Sequence, residues 1–99
     1  MADLLSKKIE KVIRNVPDFP KSGINFKDIT PLLSQPDLVT EVVDWFVEKA
    51  RVDKIDVIVG VESRGFLFGL SIAERLGVPF VPVRKQGKLP FKTIAHSYE

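Results

Sequence analysis

Apolar residues Leu5, Ile9, Val12, Ile13 and Val16 recur near the 3.6-residue period. They predict a first helix capped by Asp3 and stopped by Pro17 and Pro20. Pro17 to Gly23 reads as a loop, and Ile24-Asn25-Phe26 as a brief extended piece. Thr30 followed by Pro31 predicts a helix N-cap with proline in the first helical position. Pro36-Asp37 opens a longer helix with Val39, Val42, Val43, Phe46 and Ala50 on one face and Trp45 at its margin. From Ile55 to Val61 the alternation almost vanishes, as in a strand buried on both faces of a parallel sheet. Gly65 to Leu76 returns to helical spacing and ends at Gly77, a C-cap. Pro79 to Arg84 is a second strand, and Pro82 within it argues for an edge or an irregular end. Gln86 to Pro90 reads as a loop, and Thr93 to Tyr98 alternates like the first arm of a hairpin.

Helix, helix, strand, helix, strand is an α/β order with right-handed crossovers. It supplies two core strands where a doubly wound sheet usually has about five or six. A strand as apolar as Ile55 to Val59 needs neighbours on both sides, and this chain offers one. The sheet is therefore expected to be incomplete, with the chain cut inside an element.

The chemistry concentrates at the end of that strand. Glu62, Ser63, Arg64 and Gly65 form the turn between it and the next helix. Such a turn places free backbone N–H groups and the positive end of a helix dipole at the strand's carboxyl edge. Ser63 adds a hydroxyl donor and Arg64 a forked cation, both suited to phosphate oxygens. The client of this anion-binding turn stays open on these grounds. Gly60 to Gly65 has Gly-x-x-x-x-Gly spacing, but Phe66-Leu67 stand where a Walker loop needs Lys and Ser/Thr. No Gly-x-Gly-x-x-Gly occurs, so the dinucleotide fingerprint is absent too.

Composition adds three limits. With 44% apolar and 28% charged residues among 99, the chain should fold. It contains no cysteine, which excludes disulfides and thiolate metal sites and fits the cytoplasm. No apolar run nears the roughly 20 residues of a membrane span, and the N-terminus lacks the order of a signal peptide. The net charge of +2 is a weak argument for nucleic acid, but its distribution matters. From Arg75 to Tyr98 inclusive there are five Arg or Lys and no acid, a block that should attract an anion.

Three segments carry a resemblance. Asp18-Phe-Pro-Lys-Ser-Gly-Ile-Asn-Phe-Lys-Asp-Ile-Thr-Pro-Leu-Leu33, Val61-Glu-Ser-Arg-Gly-Phe-Leu-Phe-Gly69 and Val83-Arg-Lys-Gln-Gly-Lys-Leu-Pro90 closely resemble adenine phosphoribosyltransferases, in the same order and spacing. Leu70 departs from the proline common there in the family. The resemblance implies the open, mainly parallel, Rossmann-like α/β sheet of type I phosphoribosyltransferases, incomplete in this chain. It implies a purine-side segment over 1–34, and the first half of the core with the start of a hood over 35–99. Implied activity is transfer of a phosphoribosyl group from 5-phosphoribosyl diphosphate to adenine, giving AMP and pyrophosphate in purine salvage. Asn25, Phe26 and Lys27 match the family's purine-holding segment. Glu62, Ser63, Arg64 and Gly65 match its diphosphate loop, whose first peptide bond is often cis. Arg84, Lys85 and Lys88 match a basic loop reaching the diphosphate, partly across a homodimer interface. Tyr98 falls where the hood begins, and the hood's glutamate would lie beyond Glu99. Mg²⁺ would arrive with the diphosphate rather than in a protein cage. The family's acidic strand and Thr/Gly-rich loop do not occur in these 99 residues, so no catalytic residue is assigned here and the chain alone should be inactive.

Each of these residues also has a plainer role to compete with. Arg64 caps a turn or pairs with Asp56 or Glu62; Lys85 and Lys88 are solvated charges; Phe26 is a core residue. Phe66 and Phe68 suit helix packing, and Lys27-Asp28 a surface pair, where the resemblance implies a structural role shaping the purine pocket. His96, the only histidine, has no visible carboxylate partner to make it a general base. A nucleotide-sensing protein without turnover could use the same fold. A nucleic-acid module is disfavoured because Phe91 is the one aromatic in the Arg84–Lys92 block, and no membrane partner is implied.

Overall fold

The computed structural model describes residues 2–97. The chain divides into two compact units, Met1–Glu48 and Lys49–Glu99.

In the first unit, α1 (Ala2–Val12) ends earlier than its apolar period suggests. Residues Arg14–Pro17 form β1, which pairs antiparallel with β2 (Asn25–Asp28). Val16 was expected on the helix; it lies half-buried on β1 opposite Phe26 instead. The reason is a degeneracy of pattern. Position 16 continues the helical series from Val12, and it also alternates with exposed Asn15 and Pro17 as a strand requires. Ladder pairing with β2 supplies partners for the backbone groups that a longer helix would have used. The connection is a tight loop in which Asp18 adopts φ 57° and its Oδ1 accepts a hydrogen bond from the Gly23 N–H at 3.0 Å. The Phe19–Pro20 peptide in it is cis.

The short helix α2 (Thr30–Leu33) carries Pro31 in its first turn, but Thr30 is not its cap. The N-cap position is Ile29, which makes no side-chain cap bond; one residue before it, Asp28 Oδ1 accepts from the Thr30 N–H at 2.9 Å and from Thr30 Oγ1 at 2.6 Å. Helix α3 (Pro36–Asp53) buries Leu38, Val42, Val43 and Val47. The buried face is rotated from the expected one: Phe46 is exposed, and Trp45 is half-buried edge-on to it at 5.2 Å.

The second unit is a strand–helix–strand motif. β3 (Ile58–Val61) and β4 (Phe80–Val83) run parallel, Ile58 opposite Phe80 and Gly60 opposite Pro82. Between them α4 (Arg64–Leu76) packs on β3 and ends at Gly77, left-handed at φ 71°. There the Val78 N–H donates to the Ala73 carbonyl at 3.0 Å, the bond expected beyond a glycine C-cap. β3 starts three residues later than its apolar run, and the expected burial on both faces is not met. Val59 and Val61 remain 56% and 61% exposed. One helix and one neighbouring strand can cover only one face. Leu70, the residue departing from the family's proline, lies exposed on α4. Residues 93–97 of the expected hairpin arm Thr93 to Tyr98 have no regular structure, and Tyr98 and Glu99 lie outside the described residues.

Candidate functional site

The turn from β3 to α4 owes its shape to glycine. A Cβ on Gly60 would lie 2.6 Å from the Phe80 ring and 2.7 Å from the Gly65 carbonyl oxygen. One on Gly69 would lie 2.5 Å from the same ring. Both distances are below van der Waals contact, so β3, α4 and Phe80 can approach this closely only without side chains at 60 and 69. The Gly-x-x-x-x-Gly spacing is thus a packing device that sets the helix N-terminus directly beyond the strand. Around it lies an open cleft of about 540 Å³, lined by residues 59–65.

Ser63 and Arg64 begin α4, whose first turn presents N–H groups without intrahelical acceptors. The Glu62–Ser63 peptide is cis, as the resemblance implies. Ser63, Arg64 and Gly65 therefore sit together at the cleft as the sequence suggests. Glu62 lines the same cleft, and its carboxylate is engaged. Its Oε1 accepts a hydrogen bond from the Lys85 backbone N–H and lies 3.6 Å from Arg84 Nε. The Lys85 N–H bond holds the Glu62 carboxyl below the usual carboxylate range. The charges of Arg84, Lys85 and Lys88 act in the same direction, against partial desolvation.

Arg84 is fixed on further sides. Its Nη1 donates to the Lys88 carbonyl at 3.4 Å, and its guanidinium sits 5.9 Å from the centre of the Phe66 ring. That ring meets Phe80 edge-to-face at 6.1 Å. Phe66 packs the helix, as expected, and also backs a cation, which its sequence position did not disclose. The Lys88 N–H donates to the Lys85 carbonyl at 3.1 Å, closing the turn at Gly87 (φ 87°). Arg84, Lys85 and Lys88 thus lie on one ordered loop beside the turn. His96 lies in the exposed, irregular segment.

Asn25, Phe26 and Lys27 occupy β2 in the other unit. Strand alternation turns Asn25 and Lys27 to one exposed side, where both donate to Asn15 Oδ1, Asn25 Nδ2 at 3.4 Å. Phe26 points to the opposite face, half-buried and edge-on to Phe19 at 5.3 Å. The sequence does not single out Asn15, because the helical period that runs through Val12 and Val16 hides its place on β1. The available signal was Asn15-Val16-Pro17, which alternates against Asn25-Phe26-Lys27.

No family model matches the chain. Curated relatives do. The adenine phosphoribosyltransferase of Caenorhabditis elegans is 53% identical over 98 residues, covering 97% of this chain and 53% of that protein. The crystal structure of the Thermoanaerobacter pseudethanolicus adenine phosphoribosyltransferase superposes with a TM-score of 0.89 at 48% identity, over 95% of this chain and 56% of that one. The Saccharomyces cerevisiae enzyme, crystallised with an imino-altritol bisphosphate and adenine, gives 0.84 at 43%, over 93% and 56%. The chain spans about half the length of the curated relatives it matches. In sequence and fold the chain is similar to adenine phosphoribosyltransferases over about half of their length, and its α/β sheet is incomplete.

Proposed function

We propose that the protein encoding this chain is a purine-salvage transferase that moves a phosphoribosyl group from 5-phosphoribosyl diphosphate to adenine. The observation carrying this reading is the match to adenine phosphoribosyltransferases over nearly the whole chain. In this reaction the adenine nitrogen forms a bond to the ribose anomeric carbon. The bond from that carbon to the diphosphate oxygen breaks, and AMP and pyrophosphate result. Negative charge accumulates on the departing diphosphate. N–H groups and cations that hold it more tightly as it leaves lower the barrier. The first turn of α4, Ser63, Arg64, Lys85 and Lys88 are assigned that role, and Asn25, Phe26 and Lys27 of the 1–34 segment hold the purine. The yeast relative, bound to adenine and a bisphosphate, supports both substrates.

Mg²⁺ enters with the diphosphate, whose hard oxygens suit it. The loop carboxylate, Glu62, is engaged with the Lys85 N–H and Arg84 and does not fit a resident cation. A cytoplasmic location and a homodimer, with Lys85 and Lys88 reaching the neighbouring subunit's site, belong to the same reading.

Arg64→Ala in the protein expressed from its complete reading frame tests it. A lost charge-assisted phosphate contact costs on the order of 2–4 kcal/mol, so kcat/KM for 5-phosphoribosyl diphosphate should fall about 30- to 1000-fold. The constant for adenine should fall far less. Equal losses would remove the leaving-group role, and ligand binding without AMP formation by the unaltered protein would point to sensing. Mixing Lys88→Ala with Arg64→Ala subunits should restore part of the activity if the contact crosses the dimer; verified heterodimers without recovery would confine the site to one chain.

A further inference from the structure

We infer that Glu62 is the positioning residue that fixes the basic loop against the anion-binding turn, and that it is not itself a ligand of the anion. The inference deepens the proposed function and rests on it. A bare carboxylate beside an anion site repels what the site must hold. Glu62 is not bare: one oxygen takes the Lys85 N–H, 23 residues away in sequence, and stands 3.6 Å from Arg84 Nε.

That carboxylate is therefore the node joining three pieces. The turn after β3 contributes Glu62, the first turn of α4 contributes the Phe66 ring, and the loop contributes Arg84, Lys85 and Lys88. With its Nε toward Glu62, its Nη1 on the Lys88 carbonyl and Phe66 against it, the Arg84 guanidinium is locked in place. The Lys85 backbone is pinned at the same point, which sets where its side chain and that of Lys88 leave the loop. Positions of this kind govern binding through the groups they orient.

The sign of a substitution distinguishes positioning from simple charge. Deleting a carboxylate near a bound anion should tighten binding if only Coulomb's law operates. If Glu62 positions the loop, Glu62→Ala should weaken it. The loss is about tenfold or more, the size expected when hydrogen bonds to a charged group are broken. Glu62→Gln keeps an acceptor for the Lys85 N–H and should recover part of the loss.

The probe is inorganic pyrophosphate, titrated calorimetrically into the protein expressed from its complete reading frame at fixed low salt. A second measurement follows the Lys85 amide proton by NMR through an acid titration. It should shift as Glu62 protonates, among the surrounding charges of Arg84, Lys85 and Lys88, and not in Glu62→Gln. Should Glu62→Ala fail to fold, the Gln variant and this amide titration carry the decision. Unchanged or tighter pyrophosphate binding in Glu62→Ala, or in Glu62→Gln without an amide titration in the unaltered protein, overturns the assignment alone. No pyrophosphate binding by the unaltered protein overturns the functional reading, and the assignment with it.

Discussion

The purine-side hairpin and the anion turn reach order by opposite means. Around Gly60 and Gly69 the turn is shaped by steric exclusion, backbone and the Phe80 ring meeting where no side chain fits. The hairpin β1–β2 is shaped by pairing, with exposed side chains gathered on Asn15 Oδ1 and a single aromatic pair, Phe19 and Phe26, on the other face. Close packing tolerates no extra methyl, because interiors have no spare volume to yield. A hairpin surface tolerates many substitutions, because water replaces what a lost polar contact gave. The two regions should therefore differ sharply in how they respond to mutation, even where both serve binding.

The hardest test of that contrast is Gly60→Ala. The new Cβ meets a ring that can shift and a backbone carbonyl that cannot do so without moving α4. The expected destabilisation is about 2–3 kcal/mol, in the range of overpacked cores, read from the urea midpoint at constant slope. Gly69→Ala makes a useful control. It meets only the Phe80 side chain, and the gain in helix propensity, about 1 kcal/mol, offsets part of the clash. If Gly60→Ala is no worse than Gly69→Ala, the turn is not set by backbone approach. On the hairpin side the largest effect should come from Asp28→Ala, which leaves the Thr30 N–H at the start of α2 without its acceptor. A loss of about 1 kcal/mol is expected, and Asp28→Asn should recover most of it by keeping an acceptor for Thr30.

The same contrast explains what the sequence disclosed. The turn was legible because its determinants are local and few: an apolar run, glycines at fixed spacing, a helical pattern at once, and Gly77 to end it. The α4 bounds differ from the expected ones by a single residue at the start. The hairpin was not legible, since pairing of Arg14–Pro17 with Asn25–Asp28 is a long-range choice that Val16 conceals by fitting two periods. The cap on α2 was misplaced because Thr30-Pro31 resembles a cap, while Asp28 supplies the acceptor from two residues back. Among site residues, Ser63, Arg64 and Gly65 fall together at one cleft and Arg84, Lys85 and Lys88 on one loop. The carboxylate joining the two could be named from sequence only as part of the turn. Its direction depends on a strand pairing, β3 with β4, that brings position 85 alongside position 62.

Acid should weaken that junction in a defined direction. Glu62 has its carboxyl lowered in the folded state, so its contribution to stability is complete above the ordinary carboxylate range. It is lost as pH falls through the lower, folded-state value, when the carboxylate protonates and Arg84 loses its partner. The difference in urea midpoint between the unaltered protein and Glu62→Gln should be constant near neutrality and shrink on acidification below that range. A gap that widens in acid would mean that the carboxylate is not the charged partner of Arg84.

The smallest stability effect is expected at Asn15, where the comparison can be sharpened most. Its Oδ1 accepts from both Asn25 and Lys27, side chains that stand exposed on β2. Asn15→Ala removes no buried group and leaves the β1–β2 ladder intact, so stability should change by less than about 0.5 kcal/mol. The two donors, however, lose the acceptor they share. If Asn25 and Lys27 flank the purine, adenine binding should weaken about two- to tenfold, the size of one solvent-exposed hydrogen bond. Pyrophosphate binding should not move, because the anion is assigned to the first turn of α4, Ser63, Arg64, Lys85 and Lys88. Calorimetry with each ligand on the same variant separates the cases. A parallel loss for both ligands would show that the hairpin affects the whole fold, and equal affinity for both would remove Asn15 from the purine side.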